Sequence, residues 1–370
     1  MPKRVCQHCG HPFEIPDSMI GEDFPCPNCG KSILLPRQAR AKNEKMKLVV
    51  TPPPDDLFPP AKLAGIAQQI VANVQRVIVG KPEQVTLAVA ALFAEGHILF
   101  EDVPGVAKTM LSRAVAQSVG CSFRRIQCTP DLEPEHVIGD FTQDPVTGKR
   151  DFRFGPIFSQ MVLVDEINRA SPRTQSALLE AMGEGMVTMD RVSYRLEKPF
   201  MVMATQNPIE QEGTFRLPEA QMDRFLIRLS LGYPDAAQEK EMCVRAQQQH
   251  PIETLQPVTT GDEIVKCQRG VCEIRVGADV CDYLVALTRA TREHPALRLG
   301  ASPRGSLGLF RAAQALAAIE GKDFVAIEDI KTIAVPVLAH RLLVRKEALK
   351  DYPDGAAVIR EILTRTANSS

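Results

Sequence analysis

Three short apolar runs constrain the fold most: His97-Ile98-Leu99-Phe100, Met161-Val162-Leu163-Val164 and Phe200-Met201-Val202-Met203-Ala204-Thr205. They do not alternate with polar residues, so they read as strands covered on both faces, the pattern of a parallel sheet. Parallel neighbours need long crossovers, and helical segments lie between the runs. The first run enters a Pro-Gly turn and then a helix over Thr109 to Ser118. The expectation is an α/β fold, a doubly wound parallel sheet between helices, over residues 61–234. Beyond about residue 235 the strand signal fades. Ser302-Pro303 is a helix start, with Ser302 as N-cap and Pro303 in the first turn. Asp282 to Arg292 and Ile327 to Leu338 also read as helices, so residues 235–370 look like a small helical bundle and tail.

The first 60 residues have another character. Of ten cysteines in the chain, four fall in the first 30 residues, as Cys6-x2-Cys9 and Cys26-x2-Cys29 with 16 residues between the pairs. Two thiolates two residues apart can grip one ion from a tight turn, and a second such turn completes a tetrahedron. Residues 1–35 have little core of their own, so a bound Zn²⁺ would supply their folding energy. The expectation is a zinc ribbon with Cys6, Cys9, Cys26 and Cys29 as ligands. A redox CxxC pair is the weaker alternative, since no βαβ pattern surrounds it. Cys121, Cys128, Cys243, Cys267, Cys272 and Cys281 lack ligand spacing and read as inert thiols. Residues 36–60 form a linker, basic at Arg37, Arg40, Lys42, Lys45 and Lys47 and then stiffened by Pro52-Pro53-Pro54 and Pro59-Pro60.

Charge narrows the partners. Lys plus Arg number 44 and Asp plus Glu 45, a net charge of −1, which does not suit a whole-chain polyanion binder. With no Trp and 5% aromatics, base-stacking platforms are not expected. The longest mostly apolar run, Val85 to Ala94, is too short for a membrane span, and with no apolar h-region at Met1 to Cys6 a secretory signal is not expected. A cytoplasmic protein is expected.

The stretch Asp102-Val103-Pro104-Gly105-Val106-Ala107-Lys108-Thr109 lies between a strand and a helix, where backbone N–H groups can curl around phosphates. Lys108 suits the β- and γ-phosphates and Thr109 suits Mg²⁺. The GxxxxGK[ST] pattern departs at both glycines, with Asp102 at the first and Ala107 at the last. Alone, the stretch could be an ordinary strand–turn–helix. The strand ending in Asp165-Glu166 changes that, because an acidic pair there can hold Mg²⁺ through Asp165 and polarise a water through Glu166. Asn207, after the third run, can hydrogen-bond that water or the terminal phosphate.

Several further stretches resemble the MoxR-type AAA+ ATPases: Glu101 to Gly105, Gln127 to Leu132 (QCTPDL), Phe154 to Phe158, Val164 to Ala170 (VDEINRA), Thr174 to Met182, Ala204 to Pro208 (ATQNP), Leu217 to Phe225 and Gly300 to Arg304 (GASPR). The resemblance covers about residues 61–345. It implies a P-loop AAA+ core with a C-terminal helical lid, and hexameric rings with ATP between subunits. It implies Asn207 as sensor 1, Arg224 as an arginine finger for the neighbour and Arg304 as sensor 2. By residue chemistry alone, Arg224 could equally pair with Asp223, and Arg304 could be a solvated first-turn residue. Two β-hairpins are implied, one turning at Asp144 to Lys149 and one near Asp190-Arg191, as client-contacting elements. The implied activity is ATP-driven remodelling of a client protein, with von Willebrand factor A domain proteins as family partners. A nucleic-acid-associated ATPase gripping through the ribbon and linker, or a weakly hydrolysing nucleotide-gated scaffold, is the alternative. The ribbon is not part of the family pattern.

Overall fold

A computed structural model of the chain describes residues 57–367, apart from 144–149, 190–191, 208–214, 216 and 246–250, and residues 3–5, 12–14, 23–25, 28–29 and 32–34 near the amino terminus. Met1–Pro53 and Pro54–Ser370 are separate compact units.

The small unit holds two antiparallel pairs, Lys3–Val5 with Pro12–Glu14 and Asp23–Pro25 with Ser32–Leu34. Cys6, Cys9 and Cys26 lie outside the described residues, and Cys29 is exposed in a turn. By chain position, each CxxC falls between the two strands of one pair.

The large unit is built on five parallel strands: β1 (Ile98–Glu101), β2 (Phe123–Gln127), β3 (Met161–Asp165), β4 (Met201–Gln206) and β5 (Ile227–Leu229). Their order across the sheet is β5-β1-β4-β3-β2. The expected parallel sheet is therefore present, with two strands that the apolar runs did not reveal. Successive residues of a strand face opposite ways. Ile98, Phe100, Met161, Leu163, Met201 and Met203 join one core, and Leu99, Val162, Val164, Val202 and Ala204 join the other. Fully burying such a side chain stabilises by about 1.5–3 kcal/mol, which explains why these core-facing positions are apolar.

Helices Pro60–Gln75, Pro82–Phe93 and Lys108–Ser118 cover the first face, and helix Pro172–Glu184 covers the second. The carboxyl-terminal bundle comprises Gly261–Val271, Ala278–Glu293, Pro303–Ile319, Ile327–Leu338 and Gly355–Ala367. Ser302 caps its helix as expected, accepting from the N–H groups of Arg304 (3.1 Å) and Gly305 (3.3 Å). Strand structure does not vanish there, for short pairs join Arg275–Val276 to Phe324–Val325 and Leu297–Leu299 to Leu343–Val344. Both are too short to leave a periodic signal. The two expected hairpins form as Gly139–Gln143 with Arg150–Phe154, and Met186–Met189 with Val192–Arg195.

His97 starts β1 inside the core. Its Nδ1 accepts the Val202 N–H at 3.0 Å, so Nε2 carries the proton and donates to the Met182 carbonyl at 3.0 Å. Burial brings its pKa from 6.5 down to about 4, against the Met182 bond, which raises it. The unfolded chain therefore binds the extra proton first as pH falls. The stability this ring contributes is full above about pH 6.5 and is lost progressively toward pH 4, about 3 kcal/mol in all. Guanidinium unfolding at pH 7.5 and pH 5 should show about 2 kcal/mol of this loss, and a His97→Gln chain should show a shallower pH slope. Equal slopes would assign the acid sensitivity elsewhere.

Candidate functional site

The strand register sets the carboxyl ends of the sheet level. Gln127 pairs with Asp165, and Gln206 with Glu101, so β1, β2, β3 and β4 deliver their last residues to one edge. In open α/β sheets that edge is where ligands bind.

From β1 the chain turns through Asp102–Ala107 into helix Lys108–Ser118. Gly105 takes φ +84° and Ala107 takes φ +65°, and Ala107 is the helix N-cap. The left-handed conformation costs a residue with a Cβ about 1–2 kcal/mol, so Ala107 holds a shape that glycine would adopt freely. Glu166, at φ +55°, is strained in the same way on the far side of the site. Lys108 Nζ donates to the carbonyls of Asp102 (2.9 Å) and Val103 (3.1 Å). Val106 is buried beneath the loop, while Pro104 and Gly105 are exposed above it.

Asp102 has a different orientation from its loop neighbours. Its Oδ2 accepts from the Leu231 N–H (2.5 Å), the Gly232 N–H (2.8 Å) and the Ser230 hydroxyl (3.1 Å), and its Oδ1 from the Val103 N–H (2.9 Å). It ties the base of the loop to the segment that follows β5.

At the end of β3, Asp165 Oδ1 accepts the Thr205 hydroxyl at 2.6 Å, and Oδ2 accepts Arg125 Nη2 at 2.6 Å and Nε at 3.1 Å. The Glu166 N–H donates to Thr205 Oγ1 at 2.8 Å. Its carboxylate accepts from Arg169 Nη1 (2.9 Å) and Gln127 Nε2 (3.3 Å). Thr205 thus fixes both acidic residues to the tip of β4. Next to them the Cys128 thiol is pushed up to about 12, by burial first and then by the charges of Asp165 and Glu166. It stays neutral, as an inert thiol should. Cys243 and Cys272 are instead exposed.

These groups border one cavity of about 360 Å³, lined by Pro104, Gly105, Ala107, Lys108, Thr109, Arg125, Asp165, Glu166, Thr205 and Asn207. Two hydroxyls and two carboxylates offer the hard oxygen donors that suit Mg²⁺. A second cavity of about 490 Å³ shares Pro104, Gly105 and Ala107 and is walled by Val77, Ile78, Val79, Leu231, Tyr233 and Met242. The first is charged and the second mostly apolar, a division that fits a polyphosphate joined to a flat base.

Arg224 and Arg304 line neither cavity. Arg224 Nη1 donates to the Leu179 carbonyl at 2.6 Å. It lies so close to Gly183 that a Cβ there would stand 1.9 Å from Nη1. The pairing of Arg224 with Asp223 does not form. Asp223 instead accepts from Arg341 Nε (2.9 Å) and from the Ser302 hydroxyl (2.8 Å). Arg304 is exposed in the first turn of the helix that Ser302 caps. Sequence reasoning missed Arg125, Gln127, Thr205 and Arg341. Arg125 and Gln127, two apart on a strand, share one face, and that spacing just before CTPDL was the available signal.

Residues 97–227 match the ATPase family associated with various cellular activities (AAA), and residues 289–362 match the AAA lid domain. Chaperone MoxR1 of Mycobacterium tuberculosis is 39% identical over 324 residues, 84% of this chain and 85% of that protein. The chain belongs to the MoxR-type AAA+ ATPases. YeaC of Bacillus subtilis is 48% identical over 294 residues, 80% of this chain and 92% of that one. A crystal structure of a Cytophaga hutchinsonii protein superposes with a TM-score of 0.77 at 34% identity, covering 82% of this chain and 95% of the other. As a MoxR-type AAA+ protein the chain is an ATP hydrolase using ATP and Mg²⁺, in a family whose members are typically oligomeric. Among the described residues no helix is long and apolar enough to cross a membrane.

Proposed function

We propose that this MoxR-type ATPase is a ring-forming, cytoplasmic remodelling motor that matures or activates a client protein. The observation that carries the reading is the single cavity that gathers Lys108, Thr109, Asp165, Glu166 and Asn207 from three strand ends. In it Lys108 would neutralise the β- and γ-phosphates, with the backbone N–H groups of Gly105 to Ala107 around them. Thr109 and Asp165 would hold Mg²⁺, which would supply positive charge beside the phosphates. Glu166 polarises the attacking water and Asn207 orients it. Arg224, outside its own chain's cavity, would serve the γ-phosphate of a neighbouring subunit in a hexamer. Arg304 would close on the nucleotide with the lid.

The two hairpins would carry the motion to the client. Phe152 of one stacks on Tyr194 of the other, with centroids 4.8 Å apart, and Phe154 is 58% exposed beside them. A von Willebrand factor A domain protein is the partner this reading favours. The amino-terminal cysteines, Cys6, Cys9, Cys26 and Cys29, would hold a structural Zn²⁺ with no position open for catalysis.

The test is affinity capture from the native cell with a Glu166→Gln chain kept in Mg·ATP, and elemental analysis of the same preparation. One client enriched with ATP, absent with Lys108→Ala, supports the motor reading. Equal recovery with both variants counts against it, and a preparation without zinc removes the ribbon.

A further inference from the structure

We propose that Arg125 is a nucleotide-sensing residue that neutralises Asp165 and exchanges that carboxylate for the terminal phosphate when Mg²⁺·ATP binds. The proposal rests on reading the charged cavity as the Mg·ATP site.

Arg125 approaches one oxygen of Asp165 with two nitrogens, at 2.6 Å and 3.1 Å. The other oxygen is taken by Thr205. A divalent cation at Asp165 must therefore compete for the oxygen that the guanidinium holds. The guanidinium cannot relieve the repulsion by losing its proton, since it stays charged throughout the ordinary pH range. It has to move. It is free to do so, because β2 is an edge strand and the Arg125 side chain is 50% exposed.

Where it moves follows from what it lines. Arg125 borders the same cavity as Lys108 and Thr109, so a terminal phosphate would be the new anion within reach. A planar fork of N–H groups matches phosphate oxygens as well as it matches a carboxylate. Its Nη2 also bonds Gln127 Oε1 at 2.6 Å, a neutral anchor that need not be given up in the same step. ATP supplies a replacement acceptor when the cation claims Asp165. ADP, one phosphate shorter, does not. Arg125 thereby sets the preference for ATP over ADP and the Mg²⁺ concentration that binding requires.

The test is equilibrium binding of fluorescently labelled ATP and ADP to the full chain across a Mg²⁺ titration. Arg125→Gln should weaken ATP binding about tenfold, the scale of one charge-assisted hydrogen bond. ADP binding should not weaken, and its Mg²⁺ midpoint should fall severalfold because the competing cation is gone. Arg125→Lys, which keeps the charge without the fork, should leave that midpoint near the wild-type value and restore part of the ATP preference. Thermal unfolding of each variant reports whether the sheet edge is intact. Equal weakening of ATP and ADP with an unchanged Mg²⁺ midpoint, in a folded protein, overturns the proposal. So does no change in either nucleotide. A wild-type chain that binds neither nucleotide overturns the ATP site itself, an outcome distinct from any variant result.

Discussion

A Glu166→Gln chain should bind ATP with near-normal affinity, hydrolyse it about 10²–10⁴-fold more slowly and form a more persistent oligomer, because a positioned general base contributes on that scale. The substitution keeps the size of the side chain and one acceptor and removes the negative charge. The surroundings support so local an effect. Glu166 is held by its own N–H on Thr205 and by its carboxylate on Arg169 and Gln127, and an amide oxygen can keep accepting from both. Asp165 carries the Arg125 pair separately, so cation binding should survive. ATP affinity and single-turnover hydrolysis are to be measured on one preparation. Unchanged hydrolysis would remove Glu166 from the chemistry. Parallel loss of binding and turnover would assign it to the metal or the fold.

Arg224→Ala should bind ATP and lose about 10³–10⁵-fold in turnover, the range that arginine fingers supply. The protein offers a sharp check, since Arg224 lines neither the charged cavity nor the apolar one beside it. Among the described residues its side chain hydrogen-bonds the Leu179 carbonyl, a single neutral acceptor, so its removal should cost little stability. Mixing Arg224→Ala with Lys108→Ala subunits should restore part of the activity at interfaces where an intact Arg224 meets an intact Lys108. No recovery after subunit exchange would place its action within one chain.

The sheet was legible wherever it is central. β1, β3 and β4 are covered on both faces, so physics demanded apolar residues at every position and the runs stood out. β2 reads Phe-Arg-Arg-Ile-Gln because it is an edge strand with exposed positions, and it passed unnoticed. β5 has three residues, too few for a period. The site divided in the same way. Lys108, Thr109, Asp165, Glu166 and Asn207 sit next to strand ends and could be named from spacing. Arg125 and Thr205 act through cross-strand contacts to Asp165, about 40 residues away in sequence, which no local pattern encodes. The carboxylate of Asp102 was read as part of the phosphate loop. Its bonds to Ser230, Leu231 and Gly232, 128–130 residues on, became visible only in three dimensions.

Asp223 gives this geometry a further consequence. It receives Ser302 from the start of the Arg304 helix and Arg341 from the turn after helix Ile327–Leu338, and the next residue along the chain is Arg224. Any tilt of the lid would therefore tug on the residue beside Arg224. In the proposed ring, with Arg224 serving the next subunit, such a joint would act as an escapement: the state of one site would set the timing of its neighbour.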